Sequence, residues 1–165
     1  MAKTPDIPKG RRAVVVDGVR TPFVKAFSDF LELDTIDLAD KAVEALLNKS
    51  EVPRDEIDSI VWGGVILPPH APNIAREIAL DLNLPYNVEG HTVTRACASG
   101  LQAVTSAVSA VERGDADIVI AGGSDSTSNA SVNLPQKVVH ALAPSAMGGN
   151  STGPNELLGV LSQLM

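Results

Sequence analysis

The stretch "TVTRACASGLQAV", residues 92–104, changes pattern in its middle and holds the only cysteine of the chain, Cys97. Before Cys97, "GHTVTRA" (90–96) has the β-branched content that is typical of a strand. After it, "ASGLQAVTSAVSAVERG" (98–114) is stopped by Gly114. Its apolar residues at helical spacing are Leu101, Val104, Val108 and Val111. The stretch therefore predicts a strand that passes directly into a helix, with Cys97 at the junction.

Two further helices are predicted upstream of this junction. "DTIDLADKAVEALLNKS" (34–50) is amphipathic, with Asp34 or Thr35 available as N-cap. Its apolar stripe consists of Ile36, Ala39, Val43, Leu46 and Leu47. "APNIAREIALDLNLP" (71–85) offers Asn73 as N-cap. Its apolar residues four positions apart are Ile74, Ile78 and Leu82.

Three more strands are predicted from short apolar runs. "RRAVVVDGVRTPF" (11–23) holds the consecutive valines 14–16, as expected of a strand that is covered on both faces. "PRDEIDSIVWGGVI" (53–66) predicts a turn of helix and then a strand, and "DADIVIAGGSDS" (115–126) predicts a strand that ends at Gly122-Gly123. The order β-α-β-α-β-α-β predicts an α/β fold with a mainly parallel sheet and helices packed against it.

The regular pattern ends at about Ser126. "NLPQKVVHALAP" (133–144) predicts one short helix. "SAMGGNSTGPNE" (145–156) is rich in Gly, Ser, Asn and Pro and predicts a loop, and "LLGVLSQLM" (157–165) is an apolar segment.

Composition excludes several classes of function. The net charge of −7 and the pI near 4.8 argue against a nucleic-acid binder, which needs a basic face. No apolar run approaches the roughly 20 residues of a membrane span, and the start "MAKTPDIPKGRR" has no signal-peptide core. A single cysteine leaves no intrachain disulfide framework, so we expect the cytosol or an organellar matrix. Cys97 with three scattered histidines has no metal-ligand spacing, so we expect no metal.

The position of Cys97 leaves two interpretations open. At the head of a helix, free backbone amides and the macrodipole favour an anion, so the thiol would suit a nucleophile. Its small neighbours would let a substrate carbonyl approach, and the same amides could receive an oxyanion. These neighbours are Ala96, Ala98, Ser99 and Gly100. Alternatively, Cys97 is a small buried apolar side chain, as most lone cysteines are.

Four segments of the chain resemble, in order, motifs of the thiolase family. They are "GVRTPF" (18–23), "APNIAREIAL" (71–80), "RACASGLQAV" (95–104) and "DIVIAGGSDSTSN" (117–129). The resemblance covers nearly everything from Arg12 to about Asn129. With "LPQKVV" (134–139) following, the sequence is most similar to the 3-ketoacyl-CoA thiolase type of the fatty-acid oxidation complex.

The resemblance implies the fold and the domains of the chain. The fold would be the N-terminal half of a thiolase, an α/β fold with a mainly parallel sheet, helices on both faces and truncation before the last strand. Residues 1–125 would form the incomplete α/β domain. Residues 126–165 would begin the loop insertion that covers the coenzyme A site.

The resemblance also implies acyl transfer, in which a 3-ketoacyl-CoA and CoA give acetyl-CoA and a shortened acyl-CoA. Cys97 would carry the acyl group as a thioester, and its backbone N–H would help to bind the oxyanion. Coenzyme A and acyl-CoA would be substrates, with no permanently bound cofactor. The family's second half supplies a His and a second Cys in motifs that this sequence lacks. We therefore expect the chain to be inactive alone, and its partners to be further copies, the missing C-terminal half or an oxidation-complex subunit.

No histidine of the sequence is predicted to act as the base for Cys97. His91 lies six residues earlier, roughly 20 Å away along an extended chain, too far for the hydrogen bond that a general base requires. His70 and His140 could reach Cys97 only through the tertiary fold. One alternative function is therefore a non-catalytic thiolase-like fragment or interaction subunit. Another is a related condensing enzyme such as a ketoacyl-ACP synthase, which "GVRTPF" and "PNIAREI" disfavour.

Overall fold

The structure of the protein is a computed structural model that describes residues 10–146 and the single residues 153, 155, 158, 159 and 162. The strands described are β1 (Ser59–Gly63), β2 (Glu89–Val93) and β3 (Val119–Gly123). The α-helices are α1 (Thr35–Ser50), α2 (Ile74–Asp81), α3 (Ser99–Arg113) and α4 (Gln136–Ala146), and short 3-10 helices span Arg54–Glu56 and Thr127–Asn129. The chain divides into two compact units, Met1–Ser131 with the sheet and α1–α3, and Val132–Met165 with α4.

The sheet is parallel, with β1 in the middle of the order β2-β1-β3. Ser59 of β1 pairs with Glu89 on one side and with Val119 on the other. All five residues of β1 are buried, as expected of a continuous apolar strand with cover on both faces. Because the strands are parallel, their carboxyl ends meet at one edge of the sheet. The chain leaves β2 at this edge and runs directly to Cys97.

Helices cover both faces of the sheet. Ile60 and Trp62 of β1 belong to a buried cluster with α1 and α2 on one face. Val61 packs with Ala103 and Ala107 of α3 on the opposite face. This alternation follows from the two-residue period of side chains along a strand. The predicted α/β fold with a parallel sheet and helices on both faces is confirmed.

The start of α1 is fixed by a capping box. The Asp34 carboxylate accepts the backbone N–H groups of Ile36 at 2.7 Å and Asp37 at 2.9 Å, and the Asp37 carboxylate accepts the N–H of Asp34. Asp34 is thus the N-cap, one of the two residues predicted for that role. The buried side of the helix is formed by Thr35, Ala39, Val43 and Leu47, largely the predicted stripe.

Asn73 precedes α2 as predicted, but its side chain does not cap the helix. Its Nδ2 donates to the carbonyl of Gly90 at 2.9 Å, and its Oδ1 accepts from the Thr92 hydroxyl at 3.2 Å. The amide side chain therefore binds β2 instead. Local capping rules fail here because a neighbouring strand offers Asn73 two tertiary hydrogen bonds.

Asp40 lies on α1, which packs against α2. Its Oδ1 atom is buried and has no hydrogen-bond partner among the described residues. Burial, followed by the charge and carboxyl contact of Asp81 at the end of α2, raises the pKa of Asp40 to about 7. Asp37 and Asp34 act in the same direction. The contact between α1 and α2 therefore includes a carboxyl group that binds a proton near neutral pH.

The helix α3 lies on the sheet through small residues, since its buried residues are Ser99, Ala103 and Ala107. The apolar stripe that identified the helix in the sequence does not face the sheet. Leu101 is exposed, and Val104, Val108 and Val111 are half-buried. The helix itself and its stop are confirmed, because Gly114 ends α3 in the left-handed conformation at φ +83°.

The strand predicted at residues 14–16 is wrong. Residues 11–25 have no regular secondary structure, and Val14, Val15 and Val16 are 79%, 83% and 80% exposed. Side chains hold the segment at two points. Arg11 donates to the carbonyls of Val111 and Ala116, and Lys49 Nζ lies 2.6 Å from Asp17 Oδ1. A strand requires a ladder of backbone hydrogen bonds, and no strand of the described part of the chain pairs with these residues.

The helix predicted within residues 133–144 is confirmed as α4. The first two residues of the predicted loop at 145–156 belong to α4, contrary to the prediction. The rest of this loop and the apolar segment at 157–165 lie outside the described residues, except for the single residues 153, 155, 158, 159 and 162. The assignment of residues 126–165 to a loop insertion stays a prediction.

Candidate active site

Cys97 lies in a tight turn between β2 and α3. The carbonyl of Arg95 accepts the N–H of Ala98, and the carbonyl of Ala96 accepts the N–H of Ser99, both at 3.1 Å. Ala96 has φ +46°, which is the left-handed region that non-glycine residues seldom adopt. The predicted junction is therefore confirmed. Cys97 is exposed, so its interpretation as a buried apolar side chain is wrong.

The hydroxyl of Ser99 closes this turn from the helix side. Ser99 is the first residue of α3 and is 3% exposed. Its Oγ accepts the backbone N–H of Arg95 at 2.7 Å and donates to the carbonyl of Ala96 at 2.6 Å. The Arg95 side chain reaches the same helix, where Nη1 donates to Gln102 Oε1 at 2.6 Å. The residues on either side of Cys97 are thus bound to the first turn of α3.

Glycines at the strand ends let α3 begin against the edge of the sheet. A Cβ at Gly63 would lie 2.6 Å from the Gly100 nitrogen and nearer still to the carbonyl of Ser99. A Cβ at Gly123 would lie 2.8 Å from the Gly63 oxygen and 3.1 Å from the Gly100 Cα. Gly122 instead faces Trp62, whose ring carbon Cζ3 would be 2.5 Å from its Cβ. Packing within the chain therefore accounts for the Gly122-Gly123 pair.

The first turn of α3, which begins two residues after Cys97, offers free hydrogen-bond donors. The backbone N–H groups of Gly100 and Leu101 have no acceptor among the described residues. They lie at the positive end of the dipole of a 15-residue helix. A Cβ at Gly100 would meet nothing within 4 Å, so the space over this turn is open. The arrangement can stabilise negative charge that develops next to the sulfur.

A cavity of about 590 Å³ opens beside Cys97. Its walls are the ends of β1 and β3, residues 17–26 and the start of α3. Phe23 and Phe30 contribute apolar surface, and the ionisable side chains at the wall are Asp17, Arg20, Lys25 and Asp125. Asp125 Oδ1 already accepts the N–H groups of Val65 at 2.8 Å and Ile66 at 2.6 Å, so this carboxylate fixes the loop after β1.

The histidines are not brought to Cys97 within the first compact unit. His91 is exposed on β2 and lines a separate polar groove with Gln102 and Arg113. His70 is exposed in the connection between β1 and α2, and neither residue lines the cavity beside Cys97. His140 belongs to α4 of the second unit, where its Nε2 lies 2.9 Å from Gln136 Nε2. The cavity therefore holds a thiol and no imidazole among its described lining residues.

Two residues that shape the site, Ser99 and Gly63, are not predicted to do so from the sequence. Ser99 is predicted only as a small neighbour of Cys97, and Gly63 only as part of the segment 53–66 that holds a strand. A hydroxyl residue at a helix start is a recognisable signal, but here it bonds back to the turn instead of capping. The contact between Gly63 and Ser99 joins residues far apart in sequence, so no local pattern reveals it.

The part of the chain that the structure describes holds neither a membrane-spanning helix nor a cluster of metal-binding side chains. None of its helices combines the length and apolar character that crossing a membrane requires. None of its clusters brings together three or more His, Cys, Asp or Glu side chains that could hold a metal ion.

Solved structures with a similar fold include an acetyl-CoA acetyltransferase and a thiolase. The acetyl-CoA acetyltransferase of Bacillus anthracis matches with a TM-score of 0.73 at 28% identity, over 76% of this chain and 32% of that one. The Acat5 thiolase of Ascaris suum, solved in complex with coenzyme A, matches with a TM-score of 0.70 at 29% identity. That match covers 73% of this chain and 32% of the other. The fold is thus that of a thiolase N-terminal region.

The sequence comparison gives the family itself. Residues 13–161 match the family described as thiolase, N-terminal domain, and the chain belongs to the thiolase family. Similar curated proteins include the 3-ketoacyl-CoA thiolases of Shewanella halifaxensis, 39% identical, and Aliivibrio fischeri, 40% identical, each over 134 residues. These alignments cover 81% of this chain but 31% and 30% of the relatives. The chain therefore spans about a third of the length of the curated relatives it matches.

Proposed function

We propose that this chain provides the nucleophile of a 3-ketoacyl-CoA thiolase, with Cys97 Sγ as the atom that accepts the acyl group. The observation that carries the proposal is the exposed thiol at the head of α3 in a thiolase N-terminal domain. Coenzyme A and acyl-CoA are then substrates, and no permanently bound cofactor is required. Relatives named 3-ketoacyl-CoA thiolase support this class of substrate.

In the proposed first step, the Cys97 thiolate attacks the C3 carbonyl carbon of a 3-ketoacyl-CoA. An Sγ–C bond forms, the C2–C3 bond breaks, and its electron pair leaves on the enolate of acetyl-CoA, which takes up a proton. In the second step, the thiolate of a free CoA attacks the thioester carbonyl. The Sγ–C bond then breaks, which releases the shortened acyl-CoA and restores the Cys97 thiolate.

The oxyanion formed in each step needs donors close to the sulfur. We assign this role to the Cys97 backbone N–H, as the family resemblance implies, together with the amides at the start of α3. The free N–H groups of Gly100 and Leu101 and the open space at Gly100 support the assignment. Removal of one donor from such a site typically lowers the rate by a factor of about 10²–10³.

The proton transfers require groups that the described residues do not place at Cys97. The cavity beside the thiol is lined by no described histidine. We propose that the acid and base come from the remaining two thirds of a thiolase, or from another chain that contains them. A second copy of the chain, a C-terminal half and an oxidation-complex subunit remain the candidate partners. Fatty-acid oxidation in a reducing cytosol or organellar matrix is the proposed context, and residues 126–165 are proposed to begin the cover of the coenzyme A site.

Formation of an acyl-enzyme tests the proposal directly. The chain is incubated with acetyl-CoA and, separately, with octanoyl-CoA, and its intact mass is measured from about pH 6 to about pH 9. We expect an acyl adduct on the native chain, no adduct on Cys97→Ala, and loss of the adduct when free CoA is added. Because Cys97 is the only cysteine, the adduct needs no further assignment. Absence of an adduct over the whole range, with both donors, contradicts the proposal.

A second candidate is a non-catalytic thiolase-like fragment or interaction subunit. It is favoured by the cavity without a described histidine and by the half-exposed valines on the outer face of α3. Analytical ultracentrifugation combined with a thiolase assay separates the two candidates. A folded, strictly monomeric chain that turns over a 3-ketoacyl-CoA would eliminate the second candidate.

A further inference from the structure

We infer that Ser99 is a positioning residue that holds the Cys97 turn in its left-handed conformation and so fixes where Sγ lies relative to the first turn of α3. The inference deepens the proposed function and rests on it where acylation is concerned. Ser99 has no contact with a substrate in this role. It acts through the backbone of Arg95 and Ala96, the two residues that precede the thiol.

The left-handed conformation of Ala96 costs free energy, because this residue is not a glycine. Ala96 adopts φ +46° although it carries a Cβ, and it is exposed, so the packing of its side chain does not enforce this angle. A left-handed non-glycine residue persists only when its surroundings hold it. The groups that hold Ala96 are the N–H and the hydroxyl of Ser99, both of which donate to its carbonyl oxygen.

Ser99 is itself held in place by the sheet. Its backbone lies so close to Gly63 that a Cβ on this glycine would overlap with it, and its side chain is almost completely buried. The hydroxyl has one donor and two acceptor sites, and it uses the donor toward Ala96 and one acceptor site toward Arg95. A rigid point on α3 therefore binds the residues on the N-terminal side of Cys97 through two hydrogen bonds.

The conformation of Ala96 determines the direction in which the chain runs from β2 to Cys97. If Ala96 relaxes to a right-handed or extended conformation, the chain leaves β2 on a different course and Sγ changes its position relative to the first turn of α3. A nucleophile that is misplaced by about 1 Å can lose on the order of 10²-fold in rate. The reactivity of the thiol should therefore depend on a hydroxyl group whose two hydrogen bonds are both made to the turn that carries Cys97.

The test uses Ser99→Ala in the full chain, with Ser106→Ala as the matched control. Ser106 lies on the same helix, is half-buried, and its hydroxyl accepts from Gln102 Nε2 at 3.1 Å. The first readout is the rate of Cys97 alkylation by iodoacetamide from about pH 6 to about pH 9, on protein shown to be folded by circular dichroism. The second readout is the rate of acyl-adduct formation with acetyl-CoA.

We expect Ser99→Ala to change the rate of Cys97 alkylation by more than about twofold and to slow acylation by about tenfold or more, because two hydrogen bonds are lost. Ser106→Ala should stay within about twofold of the native chain in both readouts. Adding Ala96→Gly to Ser99→Ala should bring acylation back to within about threefold of the native rate, since glycine adopts the left-handed conformation without help.

An alkylation profile of Ser99→Ala equal to that of Ser106→Ala overturns the inference, whatever acylation shows. If Ser99→Ala does not fold, Ala96→Val replaces it, because this exposed position takes a β-branched residue that disfavours positive φ. An unchanged profile in Ala96→Val would equally overturn the inference. If the native chain forms no adduct but Ser99→Ala still changes the alkylation rate, the proposed function fails and the role of Ser99 stands.

Discussion

Gly63 and Ser99 show how much of the site depends on single atoms. The Cα of Gly63 ends the central strand, and the missing Cβ leaves room for the first residues of α3. The hydroxyl of Ser99 then binds the turn that carries the thiol. Neither residue has a charge or a reactive group, yet together they decide where the sulfur lies.

The Gly63 contact gives a prediction for the stability of the fold. Gly63→Ala should lower the free energy of unfolding by about 1–3 kcal/mol, because its Cβ would overlap with backbone atoms that cannot rotate away. Gly100→Ala is the matched control, since a Cβ there meets nothing within 4 Å. We expect this control to raise stability by at most about 1 kcal/mol, as alanine favours a helix over glycine. Urea unfolding followed by circular dichroism measures the free energy of unfolding of both variants. Equal values for Gly63→Ala and Gly100→Ala would contradict the close contact at Gly63.

At the scale of elements, the helices were predictable because their signals are local. Asp34, the spacing within α1 and the stop at Gly114 lie within a few residues of the boundaries they set. The orientation of α3 was not predictable in this way. Its large apolar residues suggest an inner face, but the buried residues are Ser99, Ala103 and Ala107. The strand-end glycines lie against the start of the helix, at Ser99 and Gly100, which no local pattern reveals.

The contact between α1 and α2 predicts a dependence of stability on pH. Asp40 has a pKa of about 7 in the folded chain against an ordinary value of 3.8. Between these values the native state binds a proton that the unfolded chain has lost, so stability falls as the pH rises through this window. Because Asp40 is partly exposed, solvent screening reduces the expected loss to roughly 1–2 kcal/mol.

Asp40→Asn tests this dependence, since asparagine imitates the protonated carboxyl and does not titrate. The variant should equal the native chain near pH 4 and exceed it in free energy of unfolding at pH 8 by roughly 1–2 kcal/mol. Asp29→Asn serves as the control, because Asp29 is exposed and has no hydrogen bond or ion pair among the described residues. A difference between native chain and Asp40→Asn that stays constant from pH 4 to pH 8 would refute the prediction.

At the scale of the whole molecule, the sequence predicted the class of fold but not every strand. The runs that became β1, β2 and β3 pair with one another, and the parallel order follows from the helices between them. The valines at 14–16 have the same local character, yet they remain exposed. Strand formation depends on a partner elsewhere in space, and the sequence of the segment holds no information about that partner. The same reason limits the prediction of the acid and base for Cys97.

The exposed valines predict self-association of the chain. Val14–Val16 form an apolar patch, and the outer edge of β3 is unpaired among the described strands. We expect sedimentation velocity at micromolar concentrations to show species larger than the monomer. Val15→Lys should shift the distribution toward monomer and change the free energy of unfolding by less than about 0.5 kcal/mol, because Val15 is 83% exposed.

Tyr86→Lys is the control for this experiment. Tyr86 is 92% exposed and lies outside the valine run, so its replacement should leave the sedimentation profile unchanged. A native chain that sediments as a monomer at every concentration would contradict the expectation.

The place of β1 in the sheet has a consequence for how the polypeptide is made. Ser59 pairs with Glu89 and with Val119, so its two partners leave the ribosome thirty and sixty residues after it. At a synthesis rate of about 5–20 residues per second, the apolar strand waits several seconds before both neighbours exist. During that time the nascent chain exposes "SIVWG" to any chaperone or foreign strand nearby. The strand that is fully buried in the folded protein is therefore the one most vulnerable to wrong pairing during synthesis.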